Sequence, residues 1–299
     1  PNIGDVYFMK LIEAAGSAKE AWHLSKKVLK EIRGFGPKII KDIGNDDFLK
    51  FAEKEMIFCE KNNIKIKLKH QNQLPKLLSQ CEDAPAIIYQ KGEFNENLIP
   101  ISIVGTRNST LYGKNFIEEL LELLKNKNVL VVSGLALGTD GCAHTEALKN
   151  NISTVGVLAH GLHILYPSQH KKLSQEMIEK GGALITEFNS TDKPDREHFL
   201  QRNRVVAGFS GVTIVVETAY GGGSMSTVSY ANQYNREVFA LPGKITDKYS
   251  QGCNLIISQN KAKIINKPQD ILDELGLNKE KNNIPNLFEP RTIKLNKEV

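Results

Sequence analysis

Residues 101–149 decide the fold: ISIVGTRNSTLYGKNFIEELLELLKNKNVLVVSGLALGTDGCAHTEALK. Two apolar runs rich in β-branched residues, at 101–104 and 129–132, alternate with helical patterns near 113–126 and 139–149. Short uninterrupted apolar runs are typical of parallel strands that are buried on both faces. Each run ends in a glycine-containing turn that leads into a helix, so the stretch predicts repeated strand–helix units.

The same alternation continues on both sides of this stretch. It predicts further strands at residues 86–89, 154–158, 183–186, 212–216 and 238–241, and helices near 169–180, 198–209 and 225–235. A short helix from 256, a strand at 263–265 and a helix from Pro268 follow. We therefore predict an α/β fold with a doubly wound, mostly parallel sheet, whose ligand site lies beyond the carboxyl ends of the strands.

Composition bounds the class of protein. With 299 residues, 40% hydrophobic and 24% charged, the chain can bury a large core, which excludes collagenous and wholly disordered proteins. We find no apolar stretch long enough to span a membrane and no secretory signal, so we expect a cytoplasmic protein without membrane contact. The four cysteines form no C-x-x-C pair, which argues against a metal site or a disulfide framework.

The net charge of +5 is unevenly distributed. Residues 1–75 carry +4, residues 76–278 carry −1 and residues 279–299 carry +2. A polyanion bound by the neutral middle segment would therefore have to be held by a few well-placed cations, because no large positive field is available.

The N-terminal segment reads as short helices between residues 5 and 70. Within it, Gly34-Phe35-Gly36 separates two apolar helical patterns, and Pro37 opens the second. This helix-hairpin-helix pattern leaves two interpretations open: backbone N–H groups that contact a phosphate, or a turn used only for packing. We predict a helical domain at 1–75, an α/β domain at 76–277 and a polar tail at 278–299.

Three strand ends carry anion-binding patterns. Gly105, Thr106 and Arg107 combine backbone N–H groups at a helix start with a guanidinium that could grip phosphate, unless Arg107 pairs with a carboxylate. Ser133 and Gly134 begin a second glycine-rich turn, which lacks the dinucleotide G-x-G-x-x-G spacing. Gly221, Gly222 and Gly223 precede a helix that we expect Ser224 to cap, without the lysine of a P-loop.

Cations cluster at two predicted helix starts. Lys171 and Lys172 open one helix, where the helix dipole favours an anion. The other start holds Arg196, Phe199, Arg202, Asn203 and Arg204. Guanidiniums buried here without an anion would be costly, and Phe199 could stack on a base or pack in the core. His144, inside the helix at 139–149, fits a packing histidine better than a general base.

These ordered blocks resemble the DNA-processing protein A family (DprA, also called Smf). The resemblance rests on Gly105-Thr-Arg107, the run 133–144, Tyr166-Pro167, Arg202-Asn-Arg204, the turn 221–224, and the 238–243 and 252–256 segments. It implies a Rossmann-like domain behind a small helical domain that resembles a sterile alpha motif. Many members also carry a C-terminal winged-helix domain, for which residues 278–299 are too few.

The resemblance implies a protein without catalytic activity or cofactor that binds single-stranded DNA, dimerises, protects incoming DNA and loads a RecA-type recombinase in natural transformation. The predicted DNA-binding residues are Gly105, Thr106, Arg107, Ser133, Gly134, Lys171, Lys172, Arg196, Phe199, Arg202, Asn203, Arg204, Gly221, Gly222, Gly223 and Ser224.

Two other functions stay open. A Rossmann nucleotide phosphoribohydrolase would use a similar glycine turn, but Tyr230 stands where its catalytic glutamate should be, and Glu217 is the best remaining acid. An adaptor that recruits the recombinase without binding DNA would leave the arginine cluster unexplained.

Overall fold

The computed structural model describes residues 3–278, in which nine strands form one sheet. The strands are β1 Ile64–Leu68, β2 Ile87–Gly92, β3 Ile99–Val104, β4 Val129–Ser133, β5 Thr154–Val157, β6 Ala183–Thr186, β7 Val212–Val215, β8 Glu237–Ala240 and β9 Lys263–Ile264. Their order is β1-β2-β6-β5-β4-β3-β7-β8-β9. From β6 to β9 every pairing is parallel, whereas β1 and β2 pair antiparallel, so the predicted mostly parallel α/β sheet is confirmed.

The helices precede the sheet, connect its strands or, in the case of the last one, follow β9. They are α1 Asp5–Ala15, α2 Ala18–Trp22, α3 Lys26–Glu31, α4 Pro37–Asp42, α5 Asp46–Lys61, α6 Lys76–Ser79, α7 Leu111–Leu123, α8 Thr139–Lys149, α9 Lys171–Glu179, α10 Arg196–Phe209, α11 Ser224–Gln233, α12 Gln251–Ser258 and α13 Gln269–Glu274. None of these helices is long and apolar enough to cross a membrane.

Two apolar layers sandwich the sheet because its strands are buried on both faces. On β3, Ile101 and Ile103 pack with α7, α8 and α13, while Val104 packs on the opposite side with α10, α11 and α12. The chain runs from β3 through β4 and β5 to β6 on one side, then returns to β7 on the other. The strand order therefore reverses between β3 and β7, which places the expected ligand crevice between their carboxyl ends.

Strand β1 corrects the prediction of helices through residue 70. Residues 64–68, Ile-Lys-Ile-Lys-Leu, alternate with the period of a strand, and they pair antiparallel with β2. The sheet thus begins before the predicted domain boundary at residue 75. The predicted polar tail, apart from Asn278, lies outside the described residues.

The N-terminal helices have a core of their own, which includes Leu11, Leu29 and Ile40. In the hairpin between α3 and α4, Gly34 has φ +97° and lies against the Tyr7 ring, which meets Phe35 edge-on at 5.6 Å between centroids. A β-carbon at Gly34 would lie 2.7 Å from Tyr7 Cε1. This close contact gives the hairpin a packing role, and its contact with phosphate stays a prediction.

Candidate nucleic-acid interface

The turn after β3 presents Arg107 from a backbone held by its neighbours. The Thr106 N–H donates to the Glu217 carbonyl at 2.7 Å, and the Thr106 carbonyl accepts from Thr139 N at 3.1 Å. Gly105 permits this packing because a β-carbon there would lie 2.5 Å from Thr139 Oγ1. The Thr106 N–H is therefore used internally, and the exposed Arg107 side chain is what the turn offers to a ligand.

Arg107 contacts an aromatic ring. Its guanidinium carbon lies 5.0 Å from the centroid of Phe199 on α10, within the range of a cation–π contact. Within residues 3–278, Arg107 forms no ion pair with a carboxylate, which removes the alternative partner considered from the sequence. The arginine and the ring predicted to serve one site are thus brought together.

Tyr166, which is not among the predicted DNA-binding residues, lies beside Phe199, and these two rings together form an aromatic edge. Its ring centroid lies 6.0 Å from that of Phe199, it is 47% exposed, and the Tyr166–Pro167 peptide bond is cis. Buried His160 orders this turn by accepting a hydrogen bond from Tyr166 N at 3.2 Å. Burial lowers the pKa of His160, which favours the neutral ring that this bond requires. In the sequence, the Tyr166-Pro167 pair is the one feature that points to this turn.

A narrow cavity lies beneath this edge. It measures about 30 Å³ and is lined by Arg107, Gly134, Ala136, Leu137, Leu158, Ala159, Tyr166, Pro167 and Phe199. This volume suits about one water molecule and is too small for a nucleobase. This cavity therefore does not form a base-binding pocket.

Arg202, one of the predicted DNA-binding residues, lies below the surface, and its contact with DNA stays a prediction. It is 4% exposed, and its Nη1 donates to the carbonyls of Gly134, at 2.5 Å, and Val157, joining the ends of β4 and β5. Burial lowers the pKa of Arg202 to about 10, while the charge of Asp140 opposes that shift. The charge of Asp140 therefore favours the charged form of the buried guanidinium.

Ser133 is also a structural residue. Its side chain is fully buried, and Oγ donates to the Ile103 carbonyl at 2.6 Å, which ties β4 to β3. Gly134 lies directly against the Arg202 guanidinium, where a side chain would collide. Ser133 therefore joins two strands and Gly134 leaves room for Arg202, while the contact of either residue with DNA stays a prediction.

Arg204 is buried as well and pairs with carboxylates of the protein, and its contact with DNA stays a prediction. Its Nη2 pairs with Glu187 Oε2 at 2.5 Å and with Asp5 Oδ2 at 3.0 Å, and Nη1 donates to the Asp83 carbonyl. Two carboxylates of the protein thus supply the counter-charge of this guanidinium. Because Asp5 belongs to α1, Arg204 fastens the N-terminal helices to α10 and the sheet.

Asn203 and the glycine turn form the other side of the interface. Asn203 Nδ2 donates to Gly223 O at 3.2 Å and to Ser226 Oγ at 2.8 Å. Gly221, with φ +64°, and Gly223 are exposed. The predicted cap is wrong: Gly223 is the N-cap of α11, and buried Ser224 donates instead to Thr218 Oγ1 at 2.7 Å.

The remaining predicted cations lie on the surface. Lys171 and Lys172 are exposed in the first turn of α9, which follows Pro167 of the aromatic edge after a short 3₁₀ turn. Arg196 is exposed at the first position of α10, on the same helix as Phe199. These three side chains are therefore exposed to solvent, and their contact with phosphate stays a prediction.

Glu217 fills the crevice between β3 and β7. It is 3% exposed, and its carboxylate accepts from Thr110 Oγ1 at 2.6 Å, Thr110 N at 2.8 Å and Ser109 Oγ at 3.2 Å. The N-terminus of α7, which in dinucleotide-binding folds faces a phosphate, here faces an internal carboxylate. Since these donors enclose Glu217, it is a poor candidate for the acid of a phosphoribohydrolase.

His144 is a packing residue. It is fully buried, and its Nδ1 lies 2.6 Å from Thr154 Oγ1. Burial lowers the pKa of His144 to about 3, so the ring is neutral at physiological pH. Enclosed in this way, it does not reach the interface.

Comparison with known proteins places these features in a family. The family profile of DNA recombination-mediator protein A matches residues 65–276, a range that begins at β1. Protein Smf of Synechocystis is 32% identical over 285 residues, which cover 92% of this chain and 70% of that protein. DNA processing protein DprA of Bacillus subtilis is 38% identical over 205 residues, or 68% of each chain.

Two solved structures of DNA processing protein A have a similar fold. The X-ray structure of DNA processing protein A from Streptococcus pneumoniae superposes with a TM-score of 0.77 at 28% identity, covering 91% of this chain and 94% of that one. A structure of the Helicobacter pylori protein, described for its single-stranded DNA binding mode, gives a TM-score of 0.64 at 27% identity, covering 71% and 95%. This chain belongs to the DNA recombination-mediator protein A family.

Proposed function

We propose that this chain binds single-stranded DNA on the surface around Arg107. The observation that carries the proposal is the exposed Arg107 guanidinium, unpaired with any carboxylate of residues 3–278, above the Phe199 ring and beside exposed Tyr166. A cation beside aromatic faces is the chemistry by which proteins hold unstacked bases and their phosphates. The binding mode named for the Helicobacter pylori relative supports this choice.

The proposed contact residues form a reduced set. Arg107 and the exposed Lys171, Lys172 and Arg196 meet phosphates, while Phe199 and Tyr166 offer ring edges to bases. Asn203 and the glycines at 221–223 shape the far side. Arg202, Arg204, Ser133 and Ser224 support this surface from inside.

The cellular role is part of the same proposal. We infer that the protein acts without catalysis in the cytoplasm, protects incoming single strands, loads a RecA-type recombinase in transformation or recombination, and works as a homodimer. The description of the family as a recombination mediator supports this role. The internal engagement of Glu217 supports a function in binding rather than hydrolysis.

Replacement of Arg107 tests the proposal. Arg107→Ala is expected to weaken binding of an oligothymidylate about tenfold and to reduce the slope of log affinity against log salt by about 0.7, the contribution of one single-strand phosphate. Fluorescence anisotropy over a salt series measures both quantities. Lys125→Ala removes one exposed charge just beyond the other end of α7 and should leave both unchanged. An unaltered affinity and slope for Arg107→Ala would remove this residue from the interface.

A further inference from the structure

The loop between β8 and α12, residues 241–250, is built into the strand ends beside Arg107. The Tyr249 carbonyl accepts from Thr218 N at 2.7 Å, which joins the loop to the end of β7. The Tyr249 hydroxyl accepts from Asn108 Nδ2 at 3.0 Å, and Asn108 directly follows Arg107 in the chain. The β8–α12 loop is therefore continuous with the turn that presents Arg107.

This loop combines exposed cations with an aromatic ring. Lys244 and Lys248 are exposed, and the Lys248 amine lies 5.6 Å from the centroid of the partly exposed Tyr249 ring. Among residues 3–278, neither lysine forms an ion pair with a carboxylate. Asp247 is the one acidic residue of the loop, whose formal charge is therefore +1.

Lys244 and Lys248 form none of the side-chain bonds that hold this loop in the described part of the chain. The bonds that hold the loop use its backbone, as in Ser250 N to Asp247 O at 2.9 Å, or the Tyr249 hydroxyl. The lysines instead project from the same edge of the sheet as Arg107. An aromatic ring with neighbouring cations repeats the chemistry of the Arg107 and Phe199 pair.

We propose that the β8–α12 loop is a second contact for the single strand. A strand held at Arg107, as proposed above, continues across the ends of β7 and β8, where Tyr249 stacks on a base and Lys248 and Lys244 meet phosphates. This inference rests on the proposed function. The aromatic edge lies toward β4 and β5, and the β8–α12 loop lies toward β8, so Arg107 stands between two half-sites.

Oligonucleotides of two lengths test the two half-sites separately. Oligothymidylates of about 4 and about 16 nucleotides span the range of site sizes known for single-strand-binding domains. Lys248→Ala and Tyr249→Ala are each expected to weaken binding of the long oligonucleotide about five- to tenfold, and Lys248→Ala is expected to leave binding of the short one unaffected. Arg107→Ala weakens both. Tyr249→Phe keeps the ring and should retain most of the affinity for the long oligonucleotide.

Controls distinguish a structural change in the loop from the loss of a contact with DNA. Lys248 is exposed, so its variant should unfold at the wild-type temperature, and Lys261→Ala removes an exposed charge outside the loop as a match. If Arg107→Ala weakens binding while Lys248→Ala and Tyr249→Ala bind both oligonucleotides like the wild type, the second contact is refuted and the function stands. If the wild type binds neither oligonucleotide, the proposed function itself is refuted.

Discussion

Arg202→Ala is expected to lower the free energy of unfolding by about 3–5 kcal/mol, because it leaves a buried charge without its partner. The guanidinium of Arg202 joins the carbonyls of Gly134 and Val157, and its charge offsets that of Asp140. Burial already raises the pKa of Asp140, so its carboxylate would be further destabilised once the guanidinium is gone. The truncation also leaves a cavity beneath the aromatic edge.

Urea denaturation measures this effect. Arg196→Ala, which removes an exposed arginine from the same helix, should change the free energy of unfolding by no more than about 0.5 kcal/mol. Asp140→Asn combined with Arg202→Ala should recover part of the loss, because the unpaired charge is removed. A loss below about 1 kcal/mol for Arg202→Ala would contradict the structural role. If Arg202→Ala loses the expected amount of stability, weak DNA binding by the variant reflects its reduced folding and not the loss of a DNA contact.

Glu217→Ala is expected to lower the free energy of unfolding by about 2–3 kcal/mol, since it removes a charged acceptor from three donors. The affinity for single strands should fall as well. The carboxylate of Glu217 holds residues 109 and 110, and its carbonyl holds Thr106, so this residue secures both sides of Arg107. Without the carboxylate, the turn would sample positions that do not present the guanidinium.

Two measurements at a temperature where every variant is folded separate these effects. Denaturation gives the stability, and anisotropy gives the affinity of Glu217→Ala and of Glu217→Ala combined with Arg107→Ala. The double variant should bind no more weakly than Arg107→Ala, because Glu217 acts through that side chain. Glu119→Ala, on the exposed face of α7, should match the wild type in both assays. Additive losses of affinity would show that Glu217 does not position Arg107.

The sheet was largely predictable because its central strands are buried on both faces and therefore appear as continuous apolar runs. Strand β1 was not. Its Ile-Lys-Ile-Lys-Leu residues alternate with the period of a strand, but the pattern is short and follows α5 directly in a lysine-rich segment, and its pairing with β2 establishes the strand. Helix α8 was placed at 139–149, its observed bounds, since small residues mark its start.

The roles of the arginines were less predictable because burial depends on distant parts of the chain. Arg204 is neutralised by Asp5 and Glu187, which lie 199 and 17 residues away in sequence. Helix geometry offered one usable signal. At about 100° per residue, Arg202 and Arg204 point in directions about 200° apart, so they could not both face one pocket. Arg107 differs from both because it lies on the turn that follows the carboxyl end of β3.

Competition between single and double strands tests the central claim most directly. In the proposed interface, unpaired bases stack on the rings of Phe199 and Tyr166, whereas a duplex keeps its bases stacked inside. We expect an unlabelled single strand to displace a labelled oligothymidylate from the wild-type protein at least about tenfold more effectively than a duplex of equal length at the same salt concentration. Equal displacement by the duplex would contradict the claim that this surface recognises unpaired bases.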